Sequence, residues 1–298
     1  MDRVPEVSGA GDRVPEASGA GDRVPEASGA GDRVPEASGA GDRVPEASGA
    51  GDRVPEASDR VAQISGALGA VRERLDAACR AAGREPSEVT LLPVTKFFPE
   101  SDARILYELG CREFGESREQ EATAKIGEFR ARVPDPAVRW HMIGHLQRNK
   151  ARAIAQWAYA IHSVDSERLV GALGKAATAA VEAGERTEPL RVLLQVSLDG
   201  DPQRGGAVVG DLENLAAQVR SAPHLEFRGL MAVPPIEADP DAAFEELHNI
   251  HARLCLEHPD ATELSAGMTN DLEHAVRHGS TCVRVGTALL GARPITSK

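Results

Sequence analysis

Val89-Thr90-Leu91-Leu92-Pro93-Val94-Thr95-Lys96-Phe97-Phe98-Pro99 reads as a buried strand that runs out into a turn. Val89–Thr95 is short, apolar and rich in branched side chains, and Pro99 bars its continuation. The residues just after the strand decide between two folds. A doubly wound open sheet places a glycine-rich phosphate loop after its first strand. Here Lys96-Phe97-Phe98 stands in that place, with neither GxGxxG nor a P-loop pattern.

Seven more strand candidates lie downstream: Arg112–Gly115, Arg139–Ile143, Ala158–Val164, Leu190–Leu198, Glu226–Val233, Glu263–Ala266 and Thr281–Val285. Helical patterns separate them at Ser101–Leu109, Arg118–Arg130, Leu146–Gln156, Ser166–Ala183, Asp211–Arg220, Asp241–Leu256 and Asn270–His278. Crossovers of this length join parallel strands. Eight such units within about 200 residues imply an α/β fold, a single closed (β/α)8 TIM barrel. The doubly wound sheet is the alternative, without its phosphate loop.

Upstream, Ser58 has the character of an N-cap. Ile64, Leu68, Val71 and Leu75 come next on one helical face that ends near Gly83. One extra helix therefore precedes the barrel, and the folded domain is expected over residues 59–298. Residues 1–58 differ in kind: Asp-Arg-Val-Pro-Glu-Ala-Ser-Gly-Ala-Gly recurs six times between Asp2 and Ser58. Solenoid units need roughly 20–50 residues to bury a face against a neighbour. Each decapeptide offers one valine and small residues, too little apolar area to offset the entropy of ordering, so a disordered repeat tail is expected.

The 298-residue chain carries 34 basic and 46 acidic side chains, net −12. The tail holds six arginines against twelve carboxylates, half of that net charge. Such acidity disfavours partners held by phosphate neutralisation, so no nucleic acid and no membrane is expected. No apolar run reaches 18 residues, and the acidic start lacks the apolar segment of a secretory signal. Cys79, Cys111, Cys255 and Cys282 are widely spaced and form no zinc or disulfide pattern. A soluble, cytoplasmic protein is expected.

Barrels of this type collect their functional groups at the C-terminal ends of the strands. The first strand ends at Lys96, between Val94 and Phe97; an apolar mouth there would free its amine for Schiff-base chemistry. Ser265 and the Gly267 backbone end the seventh strand, and Gly286-Thr287 opens the last helix. Loops after strands seven and eight are where such barrels hold phosphate. A reactive lysine facing a phosphate cradle suits pyridoxal 5′-phosphate, which carries an aldehyde and a phosphate arm. A phosphosugar aldolase needs the same two features, so these residues leave both open. Arg284 points the same way as Gly286, where it faces a pyridine nitrogen or makes an ordinary ion pair. His141 and His145, four apart at a strand end without a third ligand, do not make a metal site. His141 is placed in the barrel interior, His145 as a cap of the next helix, and His162 as a packed residue.

A longer series of motifs runs in order through the chain. Leu91-Leu92-Pro93-Val94-Thr95-Lys96, Phe114-Gly115-Glu116, Trp140-His141-Met142-Ile143-Gly144-His145-Leu146-Gln147-Arg148-Asn149-Lys150 and Ile161-His162-Ser163-Val164-Asp165 come first. Gly229-Leu230-Met231, Leu264-Ser265-Ala266-Gly267-Met268 and Gly279-Ser280-Thr281 through Gly286-Thr287 continue the series. Over residues 59–293 the chain resembles the pyridoxal phosphate homeostasis protein family (YggS/PROSC-like). The resemblance implies a barrel like the N-terminal domain of alanine racemase, with pyridoxal 5′-phosphate as cofactor. It implies Lys96 as the Schiff-base lysine, Ser265, Gly286 and Thr287 as phosphate-binding positions, Arg284 at the pyridine nitrogen and Met231 near the ring. It further implies a carrier that buffers the cofactor or delivers it to apo-enzymes, without established turnover. Ser117 and Ser197 stand where many members have asparagine.

An amino-acid racemase-like enzyme is the alternative function, with a Schiff-base aldolase behind it. Racemisation needs acid–base groups on both faces of the substrate carbon. The tyrosines, Tyr107 and Tyr159, fall away from the strand C-termini, and the sequence ends ten residues after Ala288 with no second domain. A carrier with no catalytic residue and no metal is therefore the expectation.

Overall fold

A computed structural model describes residues 57–201, 204–235 and 237–293. The repeat segment up to residue 56, and the disorder expected of it, lie outside the described residues. Helix α1 (Ala57–Ala81) buries Ile64, Leu68, Val71 and Leu75, the four residues of the apolar stripe. Burial of each such side chain contributes about 1.5–3 kcal/mol. The helix begins at Ala57, so Ser58 sits in its first turn rather than capping it. Arg84, just past its end, donates to the carbonyls of Val276 (2.9 Å) and Ser280 (2.7 Å), tying this segment to the end of the barrel.

From there strand and helix alternate: β1 (Thr90–Pro93), α2 (Glu100–Glu108), β2 (Glu113–Glu116), α3 (Glu119–Arg132), β3 (Arg139–Met142) and α4 (Ala151–Trp157). Then come β4 (Ala158–Val164), α5 (Glu167–Glu182), β5 (Leu190–Gln195), α6 (Leu212–Ser221) and β6 (Leu225–Met231). The chain continues with α7 (Pro240–Glu257), β7 (Glu263–Ser265), α8 (Leu272–Arg277), β8 (Cys282–Val285) and α9 (Thr287–Leu290). The strands form one eight-stranded parallel sheet in the order β1-β8-β7-β6-β5-β4-β3-β2. A parallel bridge between Val94 and Gly115 brings its edges together, with Thr95 N donating to Gly115 O at 3.0 Å. The fold is the (β/α)8 barrel with an extra N-terminal helix; the open doubly wound sheet is excluded by this contact.

Two features explain why the chain closes. The strands are buried on both faces, as Ala158–Val164 shows with six of seven residues buried, so each needs cover from helices outside and side chains within. Outside, Phe114 on β2 and Trp140 on β3 pack against Phe129 of α3 at ring distances of 5.9 and 5.4 Å. At Gly229 a Cβ would fall 1.9 Å from Glu263 O, and φ is +143°. Glycine is required there for β6 to approach β7.

The seam between β1 and β2 carries a polar lock. Lys125 of α3 reaches inward to Thr95 O and Glu116 Oε1, both at 2.7 Å, and Thr95 Oγ1 donates to the same Glu116 oxygen at 2.6 Å. Glu116 and Thr95 are fully buried.

Candidate functional site

The C-terminal ends of β1 and β8 open into a pocket of about 430 Å3, within the size range of small-molecule sites. Val94, Lys96 and Ile143 form one side; Arg284, Gly286 and Thr287 form another. The β6–α7 loop covers it with Pro234, Pro235 and Ala238, and the β7–α8 loop adds Met268, Thr269, Asn270 and Asp271. Larger, shallower depressions lie near Arg228 and Asp260 at the barrel floor, beside His145 and Arg168, and between Phe97 and Glu128; the lysine on the last, Lys125, is committed to Thr95 O and Glu116.

Lys96 leaves β1 at the rim. It is exposed, and its Nζ lies 5.7 Å from the Phe97 ring without a hydrogen bond or ion pair among the described residues. The apolar burial expected from Val94 and Phe97 therefore does not extend to the lysine itself. A primary amine with no partner beside a pocket is available to an electrophile. Phe97 holds φ +70°, a conformation rare for an aromatic residue, and its ring lies between Arg293 (4.2 Å) and Arg118 (4.8 Å).

Arg284 projects from β8 and is only 5 % exposed. Burial pulls its guanidinium below the ordinary arginine value, yet arginine remains charged. Its Nη2 donates to Ala232 O at 2.9 Å and its Nη1 to Ser265 Oγ at 2.8 Å. The structure thus brings Lys96, Arg284, Gly286 and Thr287 to one pocket. Ser265 and Met231 are buried and absent from its lining; Ser265 lies against Arg284, its hydroxyl shared with His162 Nδ1 at 2.8 Å.

Gly286 presents bare backbone at this wall, because a Cβ there would come within 3.3 Å of Val94 O. Asp271 is fixed by its own loop, accepting Met268 N–H at 2.6 Å. Sequence reasoning missed the proline-rich cover of Pro234, Pro235 and Pro240, because prolines past a strand end carry no signal for a pocket wall. It also missed the left-handed Phe97, which carries no glycine or asparagine signal.

The profile of the alanine racemase N-terminal domain matches residues 67–294. A "Pyridoxal phosphate homeostasis protein" of Mycobacterium tuberculosis is 52 % identical over 248 residues, covering 80 % of this chain and 96 % of its own. The protein of the same name from Escherichia coli is 36 % identical over 234 residues, covering 78 % and 97 %. This chain belongs to the pyridoxal phosphate homeostasis protein family. Within the family, the Synechococcus elongatus protein PipY has been solved with PLP bound; it is 35 % identical, with a TM-score of 0.65, and the match covers 77 % of this chain and all of that one. Alanine racemase from Corynebacterium glutamicum shares the fold at 16 % identity, with a TM-score of 0.56 over 80 % of this chain and 62 % of that one.

Ser117 and Ser197, read from the sequence as departures from the family pattern, lie off the pocket wall. Ser197 Oγ accepts the Gly200 N–H at 3.0 Å and so shapes the loop after β5. Ser117 backs the turn after β3, where a Cβ on Gly144 would fall 2.2 Å from Ser117 O. His145 is not a helix cap; it is exposed and lies 4.0 Å from Asp165 Oδ2. His141 and His162 are buried inside the barrel, in mutual contact at 2.9 Å. Among the described residues, no cluster of three metal-ligating side chains occurs, and no helix is long and apolar enough to cross a membrane.

Proposed function

We propose that this chain holds pyridoxal 5′-phosphate in the pocket above β1 and β8 and serves the intracellular supply of that cofactor by buffering or delivery. One observation carries the reading: a lysine amine with no hydrogen bond or ion pair among the described residues, an arginine and a bare glycine backbone converge on one pocket of about 430 Å3. That donor set matches a ligand with an aldehyde, an aromatic nitrogen and a phosphate. Bound there, the cofactor would supply an aldehyde carbon, and Lys96 is the residue whose amine would hold it.

The chain's own residues divide the remaining work. Gly286 and Thr287 offer backbone N–H groups and a hydroxyl to the phosphate. Arg284, charged and donor-only, would meet the ring nitrogen and disfavour its protonation. Ser265 supports Arg284 from below, and Met231, buried behind the pocket wall, would back the ring without lining the pocket. Pro234, Pro235 and Met268 exclude water from one side of the pocket.

The same pocket favours a carrier over a racemase. Tyr107 donates its hydroxyl to Asp135 outside the barrel, and Tyr159 lies between Arg139 and Arg191 near the start of β4. Neither tyrosine lines the pocket, so Lys96 has no tyrosine opposite it to complete a two-base system. A cytoplasmic location, and apo-enzymes that receive the cofactor, complete this reading.

The test is a titration of the purified full chain with pyridoxal 5′-phosphate. A yellow, saturable complex is expected, with the colour lost and weak binding kept in Lys96→Ala. A chain that stays colourless overturns the reading. Incubating the loaded protein with L-alanine separates the functions: sustained D-alanine over many turnovers would establish the racemase.

A further inference from the structure

A line of polar side chains crosses the barrel interior from the pocket to the floor. Arg284 Nη1 donates to Ser265 Oγ at 2.8 Å, and Ser265 Oγ meets His162 Nδ1 at 2.8 Å. His162 Nε2 lies 2.9 Å from His141 Nδ1, and His141 Nε2 lies 3.4 Å from Glu113 Oε2. The last contact is long and off-line for a hydrogen bond, yet no other partner reaches that buried nitrogen among the described residues. Ser265 on β7 and His162 on β4 are three strands apart, so their contact spans the interior. The line begins beside the pocket and ends on a carboxylate 24 % exposed.

Donor and acceptor counting gives this line a direction. A guanidinium only donates, so Ser265 Oγ must accept from Arg284, and its single proton goes elsewhere. Burial, His141 and Arg284 together push His162 well below its ordinary value, so it is a neutral ring with one proton. If that proton is on Nε2, Nδ1 accepts from Ser265, Nε2 donates to His141 Nδ1, and His141 Nε2–H faces Glu113. If it is on Nδ1, the run inverts: Ser265 loses its acceptor, and with a neutral His141 ring its bare Nε2 faces a carboxylate. The Cys282 thiol, raised to about 12 chiefly by burial, is the neighbour left for the Ser265 proton, and sulfur accepts weakly. Contact with His141 and with Arg139 holds the Glu113 carboxyl below its usual range against the opposing effect of burial, so the acceptor at the end of the line is anionic.

We propose that Glu113 and His141 are positioning residues for Arg284: the floor carboxylate fixes both histidine tautomers, so that Ser265 turns a lone pair to the guanidinium and holds it against the pocket. The inference rests on the cofactor reading only where Arg284 meets the ligand. The tautomers themselves belong to the protein without it.

Imidazole nitrogen NMR on the full chain, without ligand, tests the first half. His141 and His162 are both expected as Nε2–H; a wild-type His162 carrying its proton on Nδ1 overturns the proposal without any variant. In Glu113→Gln, whose amide can donate as well as accept, part of His162 is expected to shift to Nδ1–H. Glu226→Gln, at a floor carboxylate that pairs with Arg191 and Arg228, should leave both rings unchanged. Unchanged tautomers in Glu113→Gln, or equal shifts in both variants, overturn it. Titration with pyridoxal 5′-phosphate tests the second half, with affinity expected to fall roughly three- to tenfold in Glu113→Gln and to hold in Glu226→Gln. Shifted tautomers with unchanged affinity would also overturn the proposal. Failure of the wild type to bind the ligand would sink the cofactor reading and leave the NMR result as the judge of the relay.

Discussion

Lys125 Nζ stands 2.7 Å from Glu116 Oε1, and the pair closes the barrel seam one residue away from Lys96. Both side chains are at least nine-tenths buried, and Glu116 Oε2 has no partner among the described residues. Desolvation raises the Glu116 carboxyl above its ordinary value although Lys125 and Thr95 oppose it. Removing only the cation leaves the carboxylate buried without its charge partner. Lys125→Met is therefore expected to cost about 3–5 kcal/mol, read as a lower urea midpoint. Adding Glu116→Gln should recover part of that loss; equal stability of the single and double variants would show that the pair is not coupled.

Phe97 makes a second point about the same strand end. Its φ of +70° is strained for any residue with a Cβ, and the Arg118 and Arg293 contacts offset part of that cost. Phe97→Ala should destabilise the chain, whereas Phe97→Gly should recover about 1 kcal/mol relative to alanine because glycine adopts this conformation freely. Urea unfolding of the two variants checks the order, and alanine being the more stable would argue against strain at this turn.

Asp241 gives the pH dependence. Its Oδ1 accepts from His278 Nε2 (2.9 Å), His274 Nδ1 (3.1 Å) and Arg277 Nη1 (2.9 Å), tying the first turn of α7 to α8. Those contacts lower its carboxyl from 3.8 to about 2. The folded value is below the unfolded one, so the stabilisation is complete above the unfolded value and is lost as pH falls through about 2. Thermal midpoints of Asp241→Asn should lie below wild type at neutral pH and converge with it near pH 2. A constant difference across that window would rule out titration of Asp241 as the cause.

The barrel was legible because strands buried on both faces read as compact apolar runs, and each of the eight expected runs overlaps a strand. The stretch Leu146–Gln156 reads as one helix but divides into a 3-10 turn at Arg148–Lys150 and the helix Ala151–Trp157. The extended backbone of Gln147 starts that turn late, a bend that apolar spacing does not encode. Lys96, Arg284, Gly286 and Thr287 were legible as strand-end residues because parallel strands bring those ends to one face. The sharing of Ser265 between Arg284 and His162 was not, because it depends on β7 facing β4 across the closed interior. Periodicity tells which side chains point inward, not which ones meet there.

The role proposed for the pocket turns on Lys96 as the residue that takes the cofactor. Borohydride reduction of the full chain loaded with pyridoxal 5′-phosphate, followed by peptide mapping, puts that role to the test. A single reduced adduct on the peptide containing Lys96 is expected. An adduct on another lysine, or a yellow protein that yields no adduct, would contradict it.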